Sequence, residues 1–382
     1  MKVVVDNKIP FIKGVLEKYA DVVYIEGSGI ARNDLLDADA LIVRTRTKCN
    51  ANLLEGTKIK FIATATIGFD HIDTEYCRSR KITWSNAEGC NSSSVQQYLA
   101  AAIFYLIEKF KLSLPDLTIG VVGVGNVGNK VATFCNTLGM KVLLNDPPRE
   151  RLERSGSFVS LDTILSNADI ITLHVPLNYE GQDKTYHLVD RNLLSGIKKN
   201  QMLVNTSRGE VVNTTAIKEA IQNKKLMACI LDVWEDEPNI DLELLDLVDI
   251  GTSHIAGYSA DGKANGTAMC VNAFCRHFGF DIKDWHPDNI PLPPVSNIEM
   301  DCREQNCQGI IGNLIRLTYD ILKDDRALRA HHDDFEKLRG EYPIRREFGS
   351  FKINLLHANE EIEKIVRKIG FNYFMLSKDI KK

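Results

Sequence analysis

The sequence predicts an α/β protein built on parallel sheets, with a small α+β domain at its C-terminal end. Three observations carry this. Short apolar runs alternate with helix-period segments over roughly the first 255 of 382 residues, a new strand series opens near residue 117, and a proline-rich stretch closes the pattern near residue 290.

The first strand series is "KVVVDN", "DVVYI", "ADALIV", "IKFIATAT" and "KITWSN", with helical stretches between. Residues 94–110, "SVQQYLAAAIFYLIEKF", read as a long, largely buried helix leading into a second unit. The second series runs from "LTIGVVGVGNVG" through "KVLLND", "ADIITLHVP", "QMLVNTSRG" and "LMACILDVWEDEP" to "VDIGTSHIAGYS". Residues 285–296, "WHPDNIPLPPVS", hold four prolines and no periodicity, and read as a linker. Beyond it lie helical spacing over roughly 303–330, a strand-like "SFKINLL" and a helical "NEEIEKIVRKI".

Composition excludes several classes. With 44% hydrophobic and 26% charged residues and a net charge of −4, nothing points to nucleic acid or to a membrane surface as partner. The longest apolar run, "LAAAIFYLI", is about half of what spans a bilayer. The opening "MKVVVDNKIP" lacks the pattern of a signal peptide. The nine cysteines form no CxxC pair and no zinc spacing, so reduced thiols in a cytoplasm and no metal are expected. Cys270 and Cys275, close in sequence, read as core packing.

Gly123, Gly125 and Gly128 form a GxGxxG pattern after an apolar strand, at the opening of a helix. Gly123 permits the tight turn, Gly125 lets the backbone approach a pyrophosphate, and Gly128 lets helix and strand pack closely. The N–H groups at the helix start, from Asn126 and Val127, can receive phosphate oxygens. The following strand ends in Asp146, which can accept from both ribose hydroxyls and would repel a 2′-phosphate. A Rossmann-type parallel-sheet domain binding NAD is therefore expected; Arg149 and Arg151 nearby leave NADP open.

In open α/β sheets, ligands bind beyond the carboxyl ends of the strands. Polar residues recur there: Asp146, His174, Arg208, Asp232 with Glu237, and His254. An arginine can clamp a carboxylate, and a histidine beside an acid can accept a hydroxyl proton near neutral pH. That set beside a nicotinamide suggests hydride transfer at an alcohol carbon. His174 reads more readily as a residue satisfying backbone groups. Spacing does not separate Glu235, Asp236 and Glu237.

Four ordered motifs, "GVVGVGNVG", "NTSRGEVVN", "LDVWEDEP" and "SHIAGYS", closely resemble the D-isomer-specific 2-hydroxyacid dehydrogenases over roughly residues 1–280. The resemblance implies that Arg208 holds the substrate carboxylate, that His254 accepts the proton, and that Glu237 is its partner acid. It implies cofactor contacts from Val175, Thr206, Ser207, Arg208, Asp232 and Gly257. Val175, where relatives often have Thr, can offer only backbone. It further implies three domains: a flavodoxin-like α/β substrate domain of residues 1–95 rejoined by 257–284, the NAD-binding domain of residues 96–256, and a C-terminal dimerisation domain of residues 297–382. The active site would then be a cleft that closes on substrate.

"VRTRTK", residues 43–48, places Arg44, Thr45 and Arg46 at a strand tip in the substrate domain. Two guanidiniums and a hydroxyl there could bind the phosphate of a phosphorylated 2-hydroxy acid, and the resemblance implies further substrate contacts from Thr66, Ile67 and Gly68 of "ATATIGFDHID" and from Tyr258 after the histidine. The tail resembles the dimerisation domain of one branch of the family, which implies a homodimer. Arg345 and Arg346 of "PIRRE" read as a solvated face, or as a contribution to a partner subunit's site. A dinucleotide-sensing binding protein on the same fold is the alternative of a different class.

Overall fold

Parallel pairing joins the strands of the computed structural model, which describes residues 1–374. Residues 375–382, the end of the expected tail domain, lie outside the described residues. The chain divides into two units, one of Met1–Ser92 with Tyr258–Pro291 and the other of Ser93–Gly257 with Leu292–Lys382.

The first unit holds β1 (Lys2–Asp6), β2 (Asp21–Ile25), β3 (Ala40–Val43), β4 (Phe61–Thr64) and β5 (Thr83–Asn86) in the order β2-β1-β3-β4-β5. This is the doubly wound, flavodoxin-like order. Successive side chains point to opposite faces, so each face has its own core. Val4, Leu41, Val43 and Ile62 pack on one side; Val3, Val5, Ile42 and Ala63 meet Val271 and Phe274 on the other. Val271 and Phe274 lie on the helix Ala260–Phe278, which starts where the Ser259 side chain accepts from the Gly262 N–H and stops at Gly279, φ +74°.

The second unit holds β6 (Thr118–Val122), β7 (Lys141–Asn145), β8 (Ile170–Leu173), β9 (Gln201–Asn205), β10 (Leu226–Leu231) and β11 (Ile250–Gly251), in the order β11-β10-β9-β8-β6-β7. Beyond β7, the Val159 N–H donates to the Leu144 carbonyl at 2.7 Å, so an irregular segment extends the pairing. The winding reverses between β6 and β8, and the glycine turn follows β6, at the switch point where such sheets bind ligands. No helix of the described residues is long and apolar enough to cross a membrane.

The tail carries a parallel sheet of β12 (Asn297–Asp301), β13 (Lys352–Leu356) and β14 (Asn372–Tyr373). The helical spacing over 303–330 becomes two helices, Cys307–Thr318 and Ile321–Ala330. Tyr319 between them is extended, and the Asp320 side chain accepts from the Leu322 N–H to start the second. Leu328 and Phe335 join the same apolar cluster as Trp234, Leu244 and Leu245. Asp325 accepts from the Gly251 N–H at 2.8 Å, and Arg329 donates to the Leu245 and Val248 carbonyls. The tail thus covers the β11 edge of the large sheet. The solvated face expected for Arg345 and Arg346 is corrected here: both are buried, 5% and 9% exposed.

Candidate active site

The glycine turn meets the demands of a dinucleotide. Gly123 has φ +85°, and a Cβ there would lie 2.6 Å from the His174 carbonyl oxygen. A Cβ on Gly128 would lie 2.0 Å from the Gly123 oxygen, whereas one on Gly125 would meet open space. Asn126 and Val127 open the helix Asn126–Thr137, whose first N–H groups point out of the turn. Asp146 follows β7, and its carboxylate accepts from the backbone N–H of Val124 (2.8 Å) and of Arg149 (3.0 Å), which anchors it beside the turn. A carboxylate has acceptor capacity beyond two bonds. Arg149 turns back onto the Val124 carbonyl and Glu153, and Arg151 pairs with Asp183. Both arginines left open for NADP are therefore engaged with the protein.

The end of β9 is tied by Asn205, which the sequence reading did not single out. Its side chain accepts from the Ser207 N–H (3.0 Å) and hydroxyl (2.7 Å) and donates to the Arg208 carbonyl (2.9 Å). A Cβ on Gly209 would lie 1.9 Å from the Trp234 backbone, so glycine there lets the β9 and β10 ends approach. Arg208 is half-buried, and its Nη1 donates to the Ser207 carbonyl at 2.9 Å. Half-buried Val175 follows β8. His174 bonds to hydroxyls, Thr172 at 2.9 Å and Thr206 at 3.4 Å, and not to the backbone groups expected for it. Desolvation of its ring lowers its pKa to about 3, which leaves it neutral at pH 7.

After β10, the three acids part company. Glu235 binds His187 (2.6 Å) and the Thr214 N–H (2.7 Å). Asp236 adopts φ +60°, which turns the chain so that Glu237 faces His254. Glu237 Oε2 lies 2.7 Å from His254 Nδ1, and Oε1 accepts from the Trp234 N–H at 3.0 Å. Burial would raise the Glu237 carboxyl, but its bond to His254, the charge of that ring, the Trp234 N–H and nearby Arg339 hold it below its ordinary value. Asp232 accepts from the Thr252 hydroxyl (2.6 Å) and from the N–H groups of Ile255 (2.8 Å) and Ala256 (2.9 Å). Its own carbonyl accepts from the His254 N–H at 2.8 Å. Asp232 therefore shapes the loop that presents the histidine and that ends at half-buried Gly257. Arg208, Asp232 with Glu237, and His254 follow three neighbouring parallel strands, so their carboxyl ends share a rim.

The remaining candidates belong to the first unit. Arg44 Nε lies 3.0 Å from a carboxylate oxygen of Asp6, which is fully buried at the end of β1. Thr45 and Arg46 are exposed, while the Thr47 hydroxyl donates to the Gly27 carbonyl at 2.8 Å. Thr45 lines an open depression of about 540 Å³ with Lys48, Asp70 and His71. Thr66 donates to the Gly68 carbonyl (2.9 Å), and Asn86 to the Ile67 carbonyl (2.8 Å). The loop is thus held by its carbonyls, and no described residue accepts from the N–H groups of Ile67 and Gly68. Tyr258 lies under the Lys263 ammonium, 4.9 Å from its ring centre.

Residues 96–256 match the model of the D-isomer specific 2-hydroxyacid dehydrogenase NAD binding domain, and residues 290–370 match a domain of unknown function, DUF3410. The chain is 51% identical over 354 residues to erythronate-4-phosphate dehydrogenase of Bacteroides fragilis, covering 92% of this chain and 99% of that one. This chain belongs to the erythronate-4-phosphate dehydrogenase family. Among solved structures, D-lactate dehydrogenase of Aquifex aeolicus, complexed with NAD and lactic acid, is similar at TM-score 0.58 and 29% identity, over 73% of this chain and 96% of that one. The NAD⁺-bound 3-phosphoglycerate dehydrogenase of Entamoeba histolytica is similar at TM-score 0.62 and 26% identity, over 73% and 95%. Members of the erythronate-4-phosphate dehydrogenase family carry the tail that these shorter neighbours leave unmatched. The chain is an NAD-dependent oxidoreductase, and the glycine turn and Asp146 fit its cofactor.

Proposed function

We propose that the chain oxidises 4-phospho-D-erythronate at its carbon 2 hydroxyl, giving 2-oxo-3-hydroxy-4-phosphobutanoate. The observation that carries this reading is the Glu237–His254 pair, on a chain that spans nearly the whole of its 51%-identical relative. NAD supplies the hydride acceptor. Arg208 binds the carboxylate by charge-assisted hydrogen bonds. The Glu237 carboxylate holds the Nδ1–H tautomer, so Nε2 takes the proton of the carbon 2 hydroxyl, and the carboxylate then stabilises the imidazolium. The loop at Thr66–Gly68 offers N–H groups to the carboxylate, and Tyr258 a hydroxyl. Thr45 and Arg46, with Arg44 held by Asp6, are assigned to the phosphate, where charge-assisted bonds are worth about 1.5–3 kcal/mol each. The tail is assigned the homodimer contact.

The test is NADH formation from 4-phospho-D-erythronate, D-erythronate and 3-phosphoglycerate side by side. The expected order of kcat/KM puts the first far ahead of the others. Equal rates on erythronate with and without phosphate would remove the phosphate from the assignment. No turnover of any 2-hydroxy acid would favour a dinucleotide sensor.

A further inference from the structure

We propose that Arg345, in the tail, is a positioning residue for the proton acceptor: it grips the backbone of the His254 loop and holds that loop in its working conformation. The inference rests on the reading of His254 as proton acceptor and gives the domain of unknown function a part in the chemistry of its own chain.

The His254 loop needs such a restraint. His254 has φ +57°, the left-handed region that a residue with a Cβ enters only at a cost. Such a conformation persists where its surroundings over-determine it. Asp232 supplies one half of the restraint by taking the N–H groups of residues 254–256. Arg345 supplies the other half by taking their outward carbonyls. Its Nη2 donates to the Ile255 carbonyl at 3.2 Å and to the Ala256 carbonyl at 2.5 Å. The peptide groups just after His254 are thus held from both sides, by an anion and by a cation.

Arg345 is itself held rigidly. Its guanidinium lies 4.5 Å from the Tyr319 ring centre and 5.7 Å from that of Tyr342, at cation–π distances. The hydroxyls of both tyrosines donate to Asp324, at 2.8 and 2.6 Å. Nε and Nη1 meet no hydrogen-bond acceptor among the described residues, an arrangement that stability alone does not favour. A fully charged arginine with three unspent N–H donors is an expensive way to fill space. Its two spent donors both go to the histidine loop.

The experiment uses the full chain and two variants, Arg345→Met, which keeps the length and removes the donors, and Arg345→Lys, which keeps one cation. Two quantities are read. The first is the low-field imidazole proton resonance of the Glu237–His254 hydrogen bond, assigned by its loss in Glu237→Gln; it needs no substrate. The second is kcat per NADH-binding site, which excludes unfolded protein, with the primary deuterium isotope effect at carbon 2.

Arg345→Met is expected to shift or broaden the resonance. It should lower kcat about 10- to 100-fold, the scale of a misplacement near 1 Å, with NADH affinity kept and a larger isotope effect. Arg345→Lys should fall between it and the parent, and carries the test if Arg345→Met does not fold. An unmoved resonance with kcat per site within twofold of the parent, in either folded variant, overturns the proposal. If the parent turns over no 2-hydroxy acid, the proposed function fails, while the resonance still decides whether Arg345 positions His254.

Discussion

Two histidines of this chain each face a glutamate, and what separates them is the other ring nitrogen. His187 binds Glu235 through Nε2 at 2.6 Å and Asn213 through Nδ1 at 3.2 Å, so both nitrogens are spent. His254 binds Glu237 through Nδ1, and no described residue takes Nε2. His254→Gln is expected to lower kcat about 100- to 10,000-fold, with NADH affinity by fluorescence titration unchanged. His187→Gln should leave kcat near the parent's. Glu237 also ties the pair to stability. Its pKa is depressed in the folded state, so its charge stabilises the fold above the ordinary value of 4.5, and that contribution is lost as pH falls through the lower folded value. In urea melts, Glu237→Gln should therefore cost stability at pH 7 and little in acid. Arg44 carries a similar ambiguity between chemistry and fold. Because Asp6 is buried, Arg44→Ala should destabilise by about 2 kcal/mol. Asp6→Asn kinetics then separate the ion pair from substrate binding.

At the scale of elements, the strand–turn–helix at residues 118–137 shows how three glycines divide their work. A Gly128 Cβ would collide with the Gly123 carbonyl, so Gly128→Ala is expected to destabilise by about 1–3 kcal/mol and lower Tm. Gly125 has φ −75° and open space around it, so Gly125→Ala should keep Tm and weaken NADH binding, because the methyl group takes space the pyrophosphate needs. A thermal melt beside a calorimetric titration distinguishes the two. This much was legible in the sequence, since strand, glycines and helix lie within thirty residues. The knot that Asn205 ties under Ser207 and Arg208 was legible only in outline. "NTSRG" reads as a turn, but which atoms close it depends on χ angles that the sequence does not state.

At the scale of the whole molecule, the tail is bound into the large unit rather than appended to it. Leu328 and Phe335 fill the cluster around Trp234, and Asp325 satisfies the N–H of Gly251 just ahead of the His254 loop. A chain ended at Pro291 would expose that cluster and leave a buried strand edge unpaired. It is expected to aggregate, or to bind NADH weakly if it stays in solution. Size-exclusion chromatography with NADH titration checks this, and recovery of a well-folded NADH-binding fragment would contradict it. The proposed homodimer predicts a sedimenting mass twice that of the chain.

By itself, the sequence determined the parallel α/β architecture, the glycine turn, Asp146, and the ordered motifs that carry Arg208, Glu237 and His254. These are local patterns, and period and spacing survive in one dimension. Spacing left open which of three adjacent acids meets His254 and only the family resemblance pointed to Glu237; the tertiary structure supplies the reason, because a left-handed residue at Asp236 turns the chain between them. It alone decided that Arg44 answers Asp6 and that Arg345 is buried against the His254 loop. Those pairings join residues 38 and 89 or more positions apart, and no local period encodes such distances.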